Sequence, residues 1–191
     1  MGSRLRRDAG VSIERTFLYK RDASDPVPEA IASGVELRIA PVSPAETGVL
    51  DALGLDDRDE WRQRFDRGDE CYGAWLGSEL VHYSWVQNHG FHPIGYAGID
   101  VEVRPGELWI YNCRTSDAHR GQKIYPRTLQ RIVNDRLSAG ATTAWIYAAA
   151  GNVASHGGIA RAGFVHVETL RALRIGRRYR PLASESIQAL S

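Results

Sequence analysis

Arg120, Gly121, Gln122 and Lys123 set two cationic side chains around a glycine, directly before a run with helical apolar spacing. In that run Ile124, Leu129, Ile132, Val133 and Leu137 share one face. The preceding residues, 108–113, are apolar and read as a strand. A strand, a basic turn and a helix start together suit an anion. The first N–H groups of a helix lack intrahelical partners, and the macrodipole adds partial positive charge there. A glycine lets a phosphate approach the backbone closely. Pro126 falls in the first helical turn, where its missing N–H costs nothing. Taken alone, the segment reads equally well as a solvated strand-to-helix connection.

A second constellation follows about thirty residues later. Residues 143–150 read as a buried strand, and Asn152, Ser155, Gly163 and Phe164 punctuate the short helix pattern after it. Asn152 is also a good helix N-cap, which is the structural alternative to any binding role. With both segments in view, the chain resembles the GNAT superfamily of N-acetyltransferases. Residues 120–124 look like that family's pyrophosphate-binding loop. Asn152 and Ser155, leading into a helix that ends in Gly163-Phe164, look like its second cofactor motif. The resemblance covers roughly residues 107–165, and the order and spacing of the two motifs carry it.

The resemblance implies acetyl-CoA as co-substrate, with no metal. It implies that Cys113, Arg114 and Thr115 hold the pantetheine arm through backbone N–H and C=O groups. Arg120, Gly121, Gln122, Lys123, Ile124 and Tyr125 are implied at the phosphates, and Asn152 and Ser155 at the pantetheine arm. A backbone N–H near Cys113 or Thr115 is the implied oxyanion donor. The chain also departs from the family pattern. Lys123 stands where Gly or Ala is usual, and Ala118 where Gln or Arg is usual. Many members carry a Tyr acid five residues before the Phe of the Gly-Phe pair. Here that position is Ile159, which cannot donate a proton.

An amine acceptor titrating near ~10 needs a base or a water chain at neutral pH. Strand alternation places Glu107, Trp109, Tyr111, Cys113 and Thr115 on one face, with Glu107 the only carboxylate. Glu107 is therefore the candidate base, against solvation beside Pro105-Gly106. Tyr111 is the candidate donor to the leaving thiolate or a wall of the acceptor pocket, against plain core packing. His119 and His156 are alternatives for the missing acid, against surface or cofactor-side positions. His89 and His92 lack an obvious third ligand, so no metal site is expected.

The elements that must position these groups read as a mixed sheet. Residues 35–39 alternate like a first strand, and residues 43–46 form a capping-box pattern with Pro at the first helical position. A helix is expected over about 57–67. Residues 71–76 and 79–87 flank Gly77-Ser78 as a hairpin, and 95–103 and 107–115 as further strands. The crossover from 107–115 through its helix to 143–149 is expected to be parallel. The fold class is α+β: a GNAT-like central mixed sheet, mostly antiparallel, with one parallel βαβ crossover and helices on both faces. Residues 1–33 read as an N-terminal extension with an edge strand at 13–19 and a linker at 22–28. Residues 34–191 read as a single acyltransferase domain.

Composition agrees with one ordinary domain: 191 residues, 43% hydrophobic, formal net charge +1. That charge gives no bulk attraction to nucleic acid or a membrane surface. Cys71 and Cys113 make neither a metal spacing nor a disulfide framework. No apolar stretch approaches bilayer length, and the basic first seven residues lack a signal peptide's apolar core, so a cytoplasmic location is expected. The arginines at 171–180 read as a solvated strand edge, with an anionic acceptor as the sharper alternative. The expected activity is transfer of an acetyl group to a small-molecule or peptide amine, and a homodimer is left open. The alternatives are a non-catalytic CoA- or partner-binding module, or a transferase using a longer acyl or aminoacyl donor.

Overall fold

The computed structural model describes residues 10–32, 34–46, 48–51, 53 and 58–182. Among them the order is β1 (Val11–Asp22), β2 (Arg38–Val42), α1 (Gly48–Asp51), α2 (Arg58–Asp66), β3 (Glu70–Leu76) and β4 (Glu79–Gln87). Then follow β5 (Phe91–Ile94), β6 (Ile99–Glu102), β7 (Glu107–Thr115), α3 (Ile124–Ser138) and β8 (Thr143–Ala149). α4 (Val153–Arg161), β9 (Val165–Ile175) and β10 (Arg178–Pro181) complete the described chain. Eight strands form one sheet in the order β10-β9-β1-β8-β7-β4-β3-β2, and β5 and β6 form a separate ribbon. Neighbours in the large sheet run antiparallel except β7 and β8, which are parallel. This is the mixed sheet with one parallel crossover that the sequence predicts.

Period-two alternation divides the core into two layers. Tyr72, Leu108, Ile110 and Ile146 face the apolar stripe of α3, made by Leu129, Ile132 and Val133, and are joined by Ile159 and Phe164. On the other face, Cys71, Tyr83 and Trp85 pack against Leu50 of α1 and Trp61 of α2. Helices therefore cover both faces. The β3–β4 hairpin closes at Leu76↔Glu79 over Gly77-Ser78, where Gly77 takes φ +58°. No helix among the described residues is long and apolar enough to cross a membrane.

Three expectations need correction. The strand near 13–19 is not at an edge: β1 lies between β8 and β9 and bonds to both. The segment after it, where the sequence allows a loop or a linker, is a loop tied to the rest of the chain. Ala23 N–H donates to Thr142 O, and Gln130 of α3 bonds to the backbone of Glu29 and Ile31. Second, the single strand expected over 95–103 is a turn followed by β6, because Ala97 and Gly98 N–H fold back onto Ile94 O. Third, the Ser43 capping box exists, with Ser43 N–H bonded to Glu46 Oε2 and Ser43 Oγ accepting from Ala45 N–H. It opens a single 3₁₀ turn, Pro44–Glu46, ahead of α1. The arginines at 171–180 are exposed, as expected of a solvated strand edge: Arg171 and Arg174 lie on β9, and Arg178 and Arg180 on β10, the edge strand of the sheet.

Candidate active site

β7 and β8 pair only as far as Ile110↔Ile146. The next residues, 111–115 of β7 and 147–149 of β8, wall a cavity of about 860 Å³. The parting begins at Asn112, which holds φ +43°. There the β4 register slips, so that Trp85 opposes Tyr111 while Tyr83 opposes Arg114. One extra residue on β7 makes a bulge, which bends the strand and interrupts its pairing. Asn is among the few non-glycine residues that tolerate such a φ. The bulge also breaks the strict alternation expected along the strand. Trp109 and Tyr111 face His92, whereas Cys113 packs with the opposite core layer.

At the end of β7, Ser116 N–H is anchored on Val81 O and a 3₁₀ turn, Asp117–His119, leads to Arg120. Gly121 has φ +80° with open space where a Cβ would stand, so its requirement is conformational. Lys123, at the cap of α3, has φ +58°, the backbone region that favours the glycine usual in the resembled loop. Its ammonium reaches Ala32 O at 3.3 Å. The guanidinium of Arg120 pairs with Asp117 at 2.7 Å in an exposed contact. Arg114, Arg120, Lys123 and Arg161 all line the cavity, so an anion there meets cationic side chains and the start of α3 together.

The second wall comes from α4. Asn152 Oδ1 accepts from Ser155 N–H at 3.2 Å and caps the helix, while the residue also lines the cavity. The cap uses only the amide oxygen. Ser155 Oγ lies 3.2 Å from Tyr125 OH, bridging α4 and the first turn of α3. Burial raises the Tyr125 hydroxyl well above its ordinary range, so it is a protonated donor at neutral pH. A Cβ on Gly158 would stand 2.5 Å from the Tyr125 ring, so the glycine makes room for that tyrosine. Burial pushes the Cys113 thiol up to about 12, which removes it as a nucleophile.

The structure brings together, along this cavity, Cys113, Arg114, Thr115, Arg120, Gly121, Lys123, Ile124, Tyr125, Asn152 and Ser155. Gln122 is not part of the lining. Glu107 is placed elsewhere: its Oε2 accepts from Arg104 N–H in the turn before β7. At ~3.3 Å per residue it lies roughly 20 Å along the strand from Cys113. The solvated strand-end reading, weighed against catalysis, is the one that describes it. Tyr111 does line the cavity, but its hydroxyl proton is committed to Asp69 Oδ2 at 2.6 Å. Burial, then the bond to Asp69, raises its pKa strongly, and it is the commitment of its one proton to Asp69 that removes it as the thiolate's acid. His156 is excluded from that role too, since Nδ1 meets Tyr19 OH and Nε2 meets Ala150 O.

Sequence reasoning missed Arg161, the pairing of Tyr125 with Ser155, and the trio Arg67, Asp69 and Tyr111, in which Asp69 is buried beneath an exposed Arg67. In that trio Arg67 Nη2 lies 2.7 Å from Asp69 Oδ2. The Gly157-Gly158 pair in a helix was the available signal for a side chain crossing α4. Nothing in the sequence linked Asp69 to Tyr111. Among the described residues no group of three His, Cys, Asp or Glu side chains is placed to hold a metal.

No protein-family model and no curated protein sequence matches the chain. Solved structures do match in fold. One is an acetyltransferase of the GNAT family from Colwellia psychrerythraea, with TM-score 0.60 and 16% identity over 87% of this chain and 57% of that one. Another is a GCN5-related N-acetyltransferase from Sphaerobacter thermophilus, with TM-score 0.64 and 12% identity over 87% of this chain and 52% of that one. A third is a Bacillus subtilis acetyltransferase in complex with CoA, with TM-score 0.53 and 20% identity over 68% of this chain and 77% of that one. The chain thus spans little more than half the length of the first two. At these identities the likeness is one of architecture, and the chain has the fold of the GNAT acetyltransferases.

Proposed function

We propose that this chain is an acyltransferase that moves the acetyl group of acetyl-CoA to an amine. The observation that carries the reading is the gap between β7 and β8, continuous with a basic turn at the start of α3. The cavity fits the chemistry of CoA. Its cationic rim suits phosphates, and its strand walls suit an extended amide-bearing arm. Acetyl-CoA supplies an acyl group activated as a thioester. Arg120 and the N–H groups of residues 121–125 hold the phosphates, while residues 113–115 and Asn152 align the arm. A β7 N–H at the bulge stabilises charge on the carbonyl oxygen. Tyr125, held by Ser155, donates to the departing sulfur, a role the resemblance assigns to the position that Ile159 occupies here. A fully buried Ile159 leaves Tyr125 as the hydroxyl available between α3 and α4.

Calorimetry with acetyl-CoA, followed by thiol release in a panel of primary amines, tests the proposal. Binding is expected to weaken by at least tenfold in Gly121→Val, because a β-branched residue resists φ +80°. A folded Gly121→Val variant with wild-type affinity would remove the phosphate turn from the argument. Tight CoA binding without thiol release for any amine would favour the non-catalytic binding module instead.

A further inference from the structure

A second cavity, of about 350 Å³, shares Arg64, Tyr111 and Tyr147 with the first. Tyr111 and Tyr147 are the residues that directly follow the last paired positions of β7 and β8, so they stand where the strands part. The floor of this cavity holds His92, which is 1% exposed. Its ring stacks on Trp109 at 5.1 Å and 18°, with Tyr111 at 5.1 Å and Tyr147 at 5.8 Å between centroids.

The hydrogen bonds fix the tautomer of this histidine. Gln87 Nε2 donates to His89 O at 2.9 Å and to Phe91 O at 3.0 Å, which turns Gln87 Oε1 toward His92 Nδ1 at 2.8 Å. An amide oxygen only accepts, so Nδ1 carries the proton and Nε2 carries a lone pair. That Nε2 is buried and has no partner among the described residues. Buried polar atoms are almost always satisfied, so an orphaned acceptor on a residue that lines a cavity points to a donor that a ligand brings when it enters and displaces the packing around that nitrogen.

Resting on the acyltransferase reading above, we propose that the acceptor amine enters by this second cavity and that His92 Nε2 receives its proton. As the nitrogen bonds to the acyl carbon, the C–S bond breaks and its electron pair leaves on sulfur. One proton from nitrogen passes to Nε2, and Tyr125 supplies one to sulfur. The groups facing His92 are Glu60, Arg64 and Arg67, with Asp69 and Tyr111 beside Arg67 and Tyr147 across the cavity. Burial, then the charge of Arg67, holds the imidazole down at about 4, so it is a neutral acceptor throughout the physiological range. A base this weak takes no proton from a free alkylammonium. The site therefore selects amines that arrive uncharged, an α-amino group (~8) ahead of a lysine side chain (~10.4).

The test uses the full chain with histidine ¹⁵N labels and alaninamide as the amine probe. His92 is expected as the neutral Nδ1–H tautomer from pH 6 to 8, and its Nε2 resonance should shift when alaninamide is added to the CoA complex. His92→Asn keeps a donor for Gln87 Oε1 and removes the base. Its turnover should fall roughly 10²–10⁴-fold with acetyl-CoA affinity unchanged, and because both proteins use only the uncharged amine, the deficit should stay constant as pH rises toward the probe's own pKa. An Nε2–H tautomer, an Nε2 resonance indifferent to millimolar alaninamide, or wild-type turnover in His92→Asn would each overturn the proposal. Failure of the wild type to bind CoA would sink the acyltransferase reading separately, since the tautomer is read on the free chain.

Discussion

Gly157 and Gly158 are neighbours in α4, yet an added methyl group meets different surroundings at each. At 158 it would stand 2.5 Å from Cδ1 of a Tyr125 ring held between two helices. At 157 it would meet only the Arg161 guanidinium at 3.4 Å, the far end of a flexible side chain. Gly158→Ala should therefore lower stability by about 1–3 kcal/mol and weaken acetyl-CoA binding, as overpacking displaces Tyr125. Gly157→Ala should be neutral or stabilising by about 0.5–1 kcal/mol, as in any helix interior. Thermal melts and calorimetry on the two variants check this, and equal melting temperatures would mean that Tyr125 does not depend on Gly158. The glycine pair was visible in the sequence. Its reason was not, because Tyr125 and Gly158 are brought together only by the packing of α3 on α4.

The parting of β7 and β8 belongs to the scale of elements, and it turns on a single residue. Asn112 at φ +43° places the bulge. Asn112→Gly should leave the fold and CoA affinity close to wild type. Asn112→Val should cost about 1–3 kcal/mol, the usual strain of a β-branched residue in that region, and should weaken CoA binding beyond the loss of stability. Denaturant melts beside calorimetry separate the two effects; a Val variant with full affinity would detach the bulge from the site. This bulge also explains which parts of the strand were legible. Its bounds, its parallel partner and the turn after it follow from apolar runs and glycine placement. The alternation rule nominated Glu107 by counting in twos through Asn112, and a bulge makes such counting fail. Helix starts were read well at Asn152, where cap and apolar pattern agree. At Ser43 the same cap signal opened one turn only, because a cap does not set a helix's length.

At the scale of the whole molecule, two buried histidines link stability to pH. Burial lowers His82 to about 3 and His92 to about 4, against ~6.5 in an unfolded chain. Between those values the unfolded chain binds more protons, so stability falls as pH falls through that window. Each histidine contributes about 1.4 kcal/mol per pH unit. Melting temperatures from pH 7 to 4.5 should decline, with a shallower slope in His92→Asn; a flat profile would contradict the neutral burial of both. The larger question at this scale is the role of β1. Its sequence alternates like any edge strand, and nothing local says that it sits between strands 120 and more residues away. In the sheet it joins β8 to β9 through both edges, buries Leu18 and Tyr19, and carries the tyrosine that fixes His156. Without it, β9 and β10 lose their connection to the sheet and β8 becomes an open apolar edge. Burial of Leu18 and Tyr19 alone is worth about 1.5–3 kcal/mol each, before any ladder hydrogen bond, against a typical total of about 5–15 kcal/mol. A chain beginning at residue 23 should therefore fail to fold, not merely lose an appendage. Circular dichroism and a cooperative melt decide it. A soluble, cooperatively melting chain from residue 23 onward would return β1 to the status of a dispensable extension.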